Sequence, residues 1–283
     1  MTPAAWPAPA KLNLFLHITG RRADGYHELQ TAFQFLDHGD EVFIEPTRDG
    51  RIRRAHDLPG VSEDADLTLR AARLLAGRAG GNAGCVIRVD KRLPMGAGLG
   101  GGSSDAATVL SVLNREWKLL LADDELARLG LMLGADVPVF IRGHAAWAEG
   151  VGELLTPIEP PECWYLVITP PCAVDTREMY ASSTLRRDLP RIPPDDWRSG
   201  RARTTNVFEP LVRKRFPSVA QALDRLGRLA PHPRLSGSGS SVFADFPDRD
   251  SADRAARRLA DCGATFVARG CNVSPLKRRL DHL

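Results

Sequence analysis

Five glycines fall within the seven positions 96–102, inside Pro94-Met-Gly-Ala-Gly-Leu-Gly-Gly-Gly-Ser-Ser-Asp105. The cluster follows an apolar run at 85–90 that reads as a strand. It opens a helical pattern with Ala106, Val109, Leu110, Leu113 and Trp117 on one stripe. Glycine permits positive φ and lets a ligand come close to the backbone. A helix N-terminus adds unpaired N–H groups and partial positive charge. The combination predicts a phosphate site, whereas a purely structural turn needs one or two glycines.

Three kinds of phosphate site are separable by context. Gly96, Gly98 and Gly101 match a dinucleotide fingerprint. However, the chain continues as helix, loop and helix, with no second strand ending in an acidic residue. No Gly-Lys-Ser/Thr follows the glycines, so this is not a Walker A loop. No His-Arg-Asp or Asp-Phe-Gly is present, so it is not a protein kinase. A nucleoside triphosphate site of another construction remains.

Charge and composition fit a small-molecule enzyme. The 38 basic and 35 acidic residues leave a net charge of +3, which suits anionic small molecules and is weak for nucleic acid. No run of about 18 apolar residues exists, so no membrane span is expected. The first twenty residues lack a basic stretch ahead of an apolar one, which argues against a secretory signal and for a cytoplasmic protein. Cys85, Cys163, Cys172, Cys262 and Cys271 form no Cys-x-x-Cys pair and have no histidine at metal spacing. They read as reduced, buried thiols.

Along the chain, 11–18 reads as a strand with Leu12, Leu14, Leu16 and Ile18 on one face, followed by a loop at 19–27 and an extended run at 28–37. Asp49-Gly50 between 41–45 and 51–54 predicts a hairpin. Helices are expected over 65–77 and from Asp123 to Gly134, with Pro138 ending the second pattern. The Pro- and Glu-rich stretch 156–163 is the candidate boundary between domains 1–157 and 158–283. Beyond it, strand 164–169, helices 207–215 and 218–229, extended 233–236, strand 241–246, helix 250–261 and strand 265–269 give a β-α-β-β-α-β order, the ferredoxin-like arrangement. Residues 186–205, rich in Arg, Pro and Gly, read as a mobile surface loop with solvated charges.

The glycine segment resembles the central motif of the GHMP kinases, a superfamily that includes galactokinase, homoserine kinase and mevalonate kinase. Leu235-Ser-Gly-Ser-Gly-Ser-Ser241 resembles its third motif, and Ala8-Pro-Ala-Lys-Leu-Asn-Leu14 its first. Asp24-Gly-Tyr-His-Glu28, Leu133-Gly-Ala-Asp-Val-Pro-Val-Phe140 and Gly143-His-Ala-Ala-Trp-Ala-Glu-Gly150 are similar to one branch. That branch phosphorylates a tertiary alcohol on a cytidine diphosphate-linked methylerythritol. The resemblance implies an α/β (α+β) fold of two domains. The first is related to the second domain of ribosomal protein S5 and the second is ferredoxin-like, with the site in the cleft between them.

Residue by residue, the resemblance implies that Asp136 is the base and Lys11 its partner, the lysine keeping the carboxylate ionised and offsetting charge on the moving phosphoryl group. It assigns ATP to Pro94, Met95, Gly96, Ala97, Gly98, Leu99, Gly100, Gly101, Gly102, Ser103 and Ser104, with Mg2+ entering as MgATP and no protein metal ligand named. Tyr26 and Tyr180 would sandwich the cytosine, His27 would bond its polar edge, and Asn13 and Thr176 would contact the substrate. One departure stands out. The family's acidic-Asn-Leu reads here Ala65-Asp66-Leu67, which puts the adenine contact in question. His17, His38, His56, His144, His232 and His282 match no pattern.

Two other readings compete. A GHMP kinase for a different alcohol conflicts with the Asp24-Gly-Tyr-His27 segment. An S5-like RNA binder would use Arg51, Arg53, Arg54 and Arg213 to Arg215, yet the near-neutral charge and absence of interleaved aromatics oppose it.

Overall fold

A computed structural model describes residues 4–282. Two long strands, β1 (Ala5–Arg21) and β2 (His27–Thr47), pair antiparallel through most of their length. They are followed by β3 (Ile52–Arg54), α1 (Leu67–Ala79), β4 (Gly84–Asp90), α2 (Gly101–Glu116), α3 (Asp123–Leu131), α4 (Val137–Arg142), β5 (Ala146–Glu149) and β6 (Leu154–Pro157). The rest comprises β7 (Trp164–Thr169), α5 (Thr176–Ala181), α6 (Pro194–Arg198), α7 (Glu209–Arg215), α8 (Pro217–Gly227), β8 (Arg234–Leu235), β9 (Val242–Phe246), α9 (Arg249–Arg258), β10 (Ala264–Cys271) and α10 (Pro275–Asp281). Among the described residues no helix is long and apolar enough to cross a membrane.

Strands β7, β8, β9 and β10 lie in the order β10-β7-β9-β8, all antiparallel, with α8 and α9 as the crossovers. This is the expected β-α-β-β-α-β unit. Its apolar helix faces, including Val219, Leu223 and Leu226 of α8, pack on Leu166, Ile168, Val242 and Ala244. Strand β10 also pairs with β2 through Gly270 and Cys271, so one continuous sheet crosses the molecule. A separate core lies between α1, α2, α3 and α4 and the β1–β2–β4 face, with Phe35, Leu75, Leu110 and Phe140 fully buried.

The structure corrects four expectations. The Asp49-Gly50 turn forms, with Gly50 at φ 68°, but the flanking strands do not pair with each other. Strand β4 inserts between them, antiparallel to β2 and parallel to β3. A side chain at Gly84 would sit 2.6 to 2.7 Å from Thr47, Asp49 and Arg51, so glycine there lets the turn close over β4. The second departure is in β1, where Leu12, Leu14, Leu16 and Ile18 do not share one face. A register shift between Asn13 and Leu16 sends the first two to the core at the domain junction and the last two to the ferredoxin-like core. Third, Pro138 does not stop α3, which already ends at Leu131. It sits in the first turn of a new helix, α4, where its missing N–H costs nothing.

The fourth correction concerns 186–205, which lies along β1. Leu189 N–H donates to Ile18 O, Leu16 N–H to Thr205 O and Val207 N–H to Leu16 O. Gln30 exchanges both side-chain groups with the backbone of Ile192, and Thr205 N–H donates to Nε2 of the buried His17. Helix α6 places Trp197 against Phe15 and Trp147. The apolar anchors Leu189, Ile192 and Trp197 are too sparse for a sequence periodicity. The five cysteines are free, as expected. Cys85, Cys262 and Cys271 are buried, whereas Cys163 and Cys172 are half-buried. Burial pushes the Cys85 thiol up to about 12 and Cys271 to about 11.

Candidate active site

A cleft of about 530 Å³ opens between the α2 N-terminus, the β1–β2 ribbon and the loop before β9. Helix α2 begins at Gly101, with Gly100 at φ 74° as its N-cap, so Gly101 and Gly102 occupy its first turn. The helix's unpaired N–H groups therefore lie inside the glycine cluster.

The glycines serve different purposes. A Cβ at Gly98 would lie 2.1 Å from Ser236 O, because the two glycine-rich loops press backbone to backbone there. Ser236 Oγ donates to Gly98 O at 2.9 Å, and Ser241 N–H to Ala97 O at 3.1 Å. A Cβ at Gly100 would meet Phe140 at 2.8 Å and Lys11 Cε at 3.1 Å. At Gly101 it would lie 3.3 Å from both Asp40 and Lys91. By contrast, a Cβ at Gly96 meets nothing within 4 Å. Gly98 and Gly100 thus close the fold, and Gly96 is the position where the backbone stays open to a ligand.

Lys11 is held by this loop. Its backbone N–H donates to Leu99 O at 3.0 Å and its Nζ to Gly98 O at 3.1 Å. The ammonium also donates to Asn13 Oδ1 at 2.5 Å and lies 3.4 Å from Asp136 Oδ2. Lys11 is 3% exposed, while the Asp136 side chain is 34% exposed and faces the cleft. Asp136 stands at the N-cap position of α4, but its side chain makes no capping bond. Its carboxylate is therefore free for the cleft. Asn13 Nδ2 donates to Thr31 Oγ1 at 3.0 Å, which fixes the amide so that its oxygen faces Lys11.

Pro94 to Ser103 line the cleft, together with Lys11, Asn13, Asp136, Thr176 and Tyr180. Ser104 does not; it is fully buried and its Oγ has no partner. Thr176 shares a hydrogen bond of 2.7 Å with Ser238 Oγ, tying α5 to the third glycine motif. Tyr180 packs edge-on against Phe208 and at 5.0 Å from the His27 ring. Burial, with the Asp136 charge adding, raises its phenol pKa. Tyr26 stands on the turn between β1 and β2 and His27 opens β2, both outside the cleft lining. Tyr26 is 65% exposed, and His27 joins the cleft only through Tyr180.

Two further groups at the site belong to none of the sequence motifs. Lys91 Nζ bridges Asp40 and Asp105 (2.9 Å to the latter) beneath Gly101. Burial raises the Asp105 carboxyl to about 7, the Asp40 charge adds to the rise, and Lys91 opposes it. Arg187 binds His27 and three backbone carbonyls. Lys91 could have been suspected from its place three residues before Pro94. Arg187 carried no signal, because its one side-chain partner, His27, is 160 residues away in sequence. Asp66 is buried and caps α1 through Thr68 N–H at 2.9 Å. Its Oδ2 has no hydrogen-bond partner, and the residue is part of the cleft lining.

Comparison with known proteins adds an independent line. Residues 66–144 match the family model for the GHMP kinases N terminal domain, and 191–265 that for GHMP kinases C terminal. A 4-diphosphocytidyl-2-C-methyl-D-erythritol kinase of Pseudomonas paraeruginosa is 53% identical over 277 residues, covering 98% of this chain and 97% of its own. One from Xanthomonas euvesicatoria pv. vesicatoria is 55% identical over 279 residues, covering 98% and 94%. A crystal structure of a 4-(cytidine 5'-diphospho)-2C-methyl-D-erythritol kinase superposes with TM-score 0.81 at 35% identity, covering 94% of this chain and 99% of that one. A mevalonate kinase structure shares the fold at TM-score 0.69 and 15% identity, covering 96% and 99%.

Proposed function

The chain belongs to the 4-diphosphocytidyl-2-C-methyl-D-erythritol kinase family of the GHMP kinases, and from that premise we propose how its own residues carry out the reaction. It is a small-molecule kinase using ATP. It transfers the γ-phosphoryl group to the 2-hydroxyl of 4-diphosphocytidyl-2-C-methyl-D-erythritol, giving the 2-phosphate and ADP in the methylerythritol phosphate route to isoprenoids. The observation that carries our reading of the site is the Lys11–Asp136 pair, 3.4 Å apart against the glycine loop that opens α2.

In our reading, Asp136 aligns the attacking hydroxyl and accepts its proton as the oxygen–phosphorus bond forms. Lys11 holds Asp136 in place and stabilises charge on the equatorial oxygens of the transferring group. The N–H groups of 100–103 and the open backbone at Gly96 receive the phosphates, which suits the cradle described above. Asn13 and Thr176 position the alcohol side of the substrate. Tyr26, His27 and Tyr180 form the base site, which the side chains of Tyr26 and His27 reach from the rim.

Mg2+ accompanies ATP in this scheme. Among the described residues no group of three or more His, Cys, Asp or Glu side chains could hold a metal ion. Phosphate oxygens and water would therefore supply most of its ligands. We divide the chain at 157/158, where β6 ends and a Pro-rich connection leads to β7. The deciding experiment is ATP consumption with the cytidylylated substrate, with mevalonate and homoserine as controls. Phosphorylation of a control in preference to the cytidylylated alcohol would overturn the assignment.

A further inference from the structure

Arg187 makes four hydrogen bonds with one side chain. Its Nε donates to His27 Nε2 at 3.0 Å and its Nη1 to Leu185 O at 3.0 Å. Its Nη2 donates to Tyr180 O and Ser182 O, each at 2.9 Å. The guanidinium therefore spans the end of α5 and the turn between β1 and β2, which nothing in sequence connects. It bonds the His27 ring directly and the backbone carbonyl of Tyr180, the residue whose ring packs 5.0 Å from the imidazole.

The chemistry of the His27 bond is directional. A guanidinium can only donate, so His27 Nε2 must present its lone pair. A neutral imidazole then carries its proton on Nδ1. Burial, followed by the charges of Arg187 and Arg21, lowers the His27 pKa and keeps the ring neutral. Among the described residues no group pairs with Nδ1, and it is not buried. One ring nitrogen is thus locked by the protein, and the other is left as a donor at the rim beside Tyr180.

We propose that Arg187 sets the pyrimidine specificity of this kinase by locking His27 as an Nδ1–H donor. The proposal rests on the reading that the substrate base lies at His27 and Tyr180. Cytosine presents an acceptor at N3, whereas uracil presents an N3–H donor there. An Nδ1–H donor pairs with the first and leaves two donors face to face with the second. Without Arg187 the imidazole is free to move its proton to Nε2, and Nδ1 can then accept from uracil. Arg187 is a positioning residue, because it acts through His27 and not on the base itself.

The test combines kinetics with histidine ¹⁵N NMR. The kcat/KM for the cytidine-linked substrate and its uridine analogue is compared in the parent, Arg187→Met and Arg187→Lys. The parent should prefer cytidine, and Arg187→Met should shrink that preference about tenfold, with Arg187→Lys in between. A merely structural role would depress both substrates in proportion and leave the ratio unchanged, which would overturn the proposal. The ¹⁵N spectrum of the parent should show His27 protonated on Nδ1. Protonation on Nε2 would overturn the proposal even if no variant folds. Equal use of both substrates by the parent would instead remove the base-site reading, and the proposal with it.

Discussion

Lys11 and Asp136 come from opposite ends of the first half of the chain and meet with Nζ 3.4 Å from Oδ2. The lysine cannot wander, since Gly98 O and Asn13 Oδ1 take its remaining donors at 3.1 and 2.5 Å. A buried ammonium with three defined partners is preorganised, which is the condition for electrostatic stabilisation of a transferring phosphoryl group. The pair also joins the Ala8–Leu14 segment to the Leu133–Phe140 segment against the glycine loop.

Asp136→Asn should fold and bind both substrates but lose about 10²–10⁴-fold in kcat, the usual contribution of a general base. Its capping position adds no stability to lose, because the side chain makes no capping bond. Lys11→Met should match it in kcat, and the double variant should fall well short of the product of the two losses. Steady-state kinetics on variants with parental circular dichroism decides. More than about a tenth of parental kcat in Asp136→Asn would remove the residue from the chemistry.

Gly98→Ala and Gly96→Ala should fail differently. At Gly98 the new Cβ would lie 2.1 Å from a backbone oxygen, so the two glycine loops must separate and the melting temperature should drop by several degrees. At Gly96 the cost is only that of φ 65°, about 1–2 kcal/mol. The main effect there should be a raised KM for ATP. Equal melting temperatures for the two variants would refute this division of labour.

Asp105 predicts a pH dependence of stability. Its folded pKa, about 7, lies above the 3.8 of an ordinary aspartate. The folded state therefore binds this proton more tightly than the unfolded chain, and stability falls as pH rises from about 4 to about 7. Asp105→Asn keeps the shape and abolishes the titration. Urea unfolding at pH 4.5 and 7, each pH chosen at about an end of that window, should show a smaller loss in the variant than in the parent. Parallel losses would contradict the buried-carboxyl account.

Tyr26→Ala should leave stability nearly unchanged, because the ring is 65% exposed and belongs to none of the cores. Binding of the cytidine substrate should weaken by about 1–3 kcal/mol, the cost of a lost base–aromatic stack. Calorimetric titration of both ligands checks it. An equal loss for ATP would argue that the turn shapes the whole cleft.

The glycine loops and the ferredoxin-like unit were legible in the chain because each is local, whereas Lys11 and Asp136 were singled out only by the resemblance to the GHMP kinases. The glycines at 96–102 impose their own backbone, and the alternation and helical stripes of 164–269 repeat over short windows. What needed the tertiary structure were relations between distant segments. The insertion of β4 between β2 and β3 is decided by a strand some thirty residues past the Asp49-Gly50 turn. The docking of 186–205 on β1 is decided by Gln30, His17 and a few scattered apolar anchors. The different duties of Gly96 and Gly98 depend on where Ser236 O lies. A sequence sets backbone preferences over a few residues, so it determined which segments could form a glycine-rich turn opening a helix. Which carbonyl faces which glycine, and which guanidinium faces which imidazole, follows from packing across the chain, and only the folded molecule decides it.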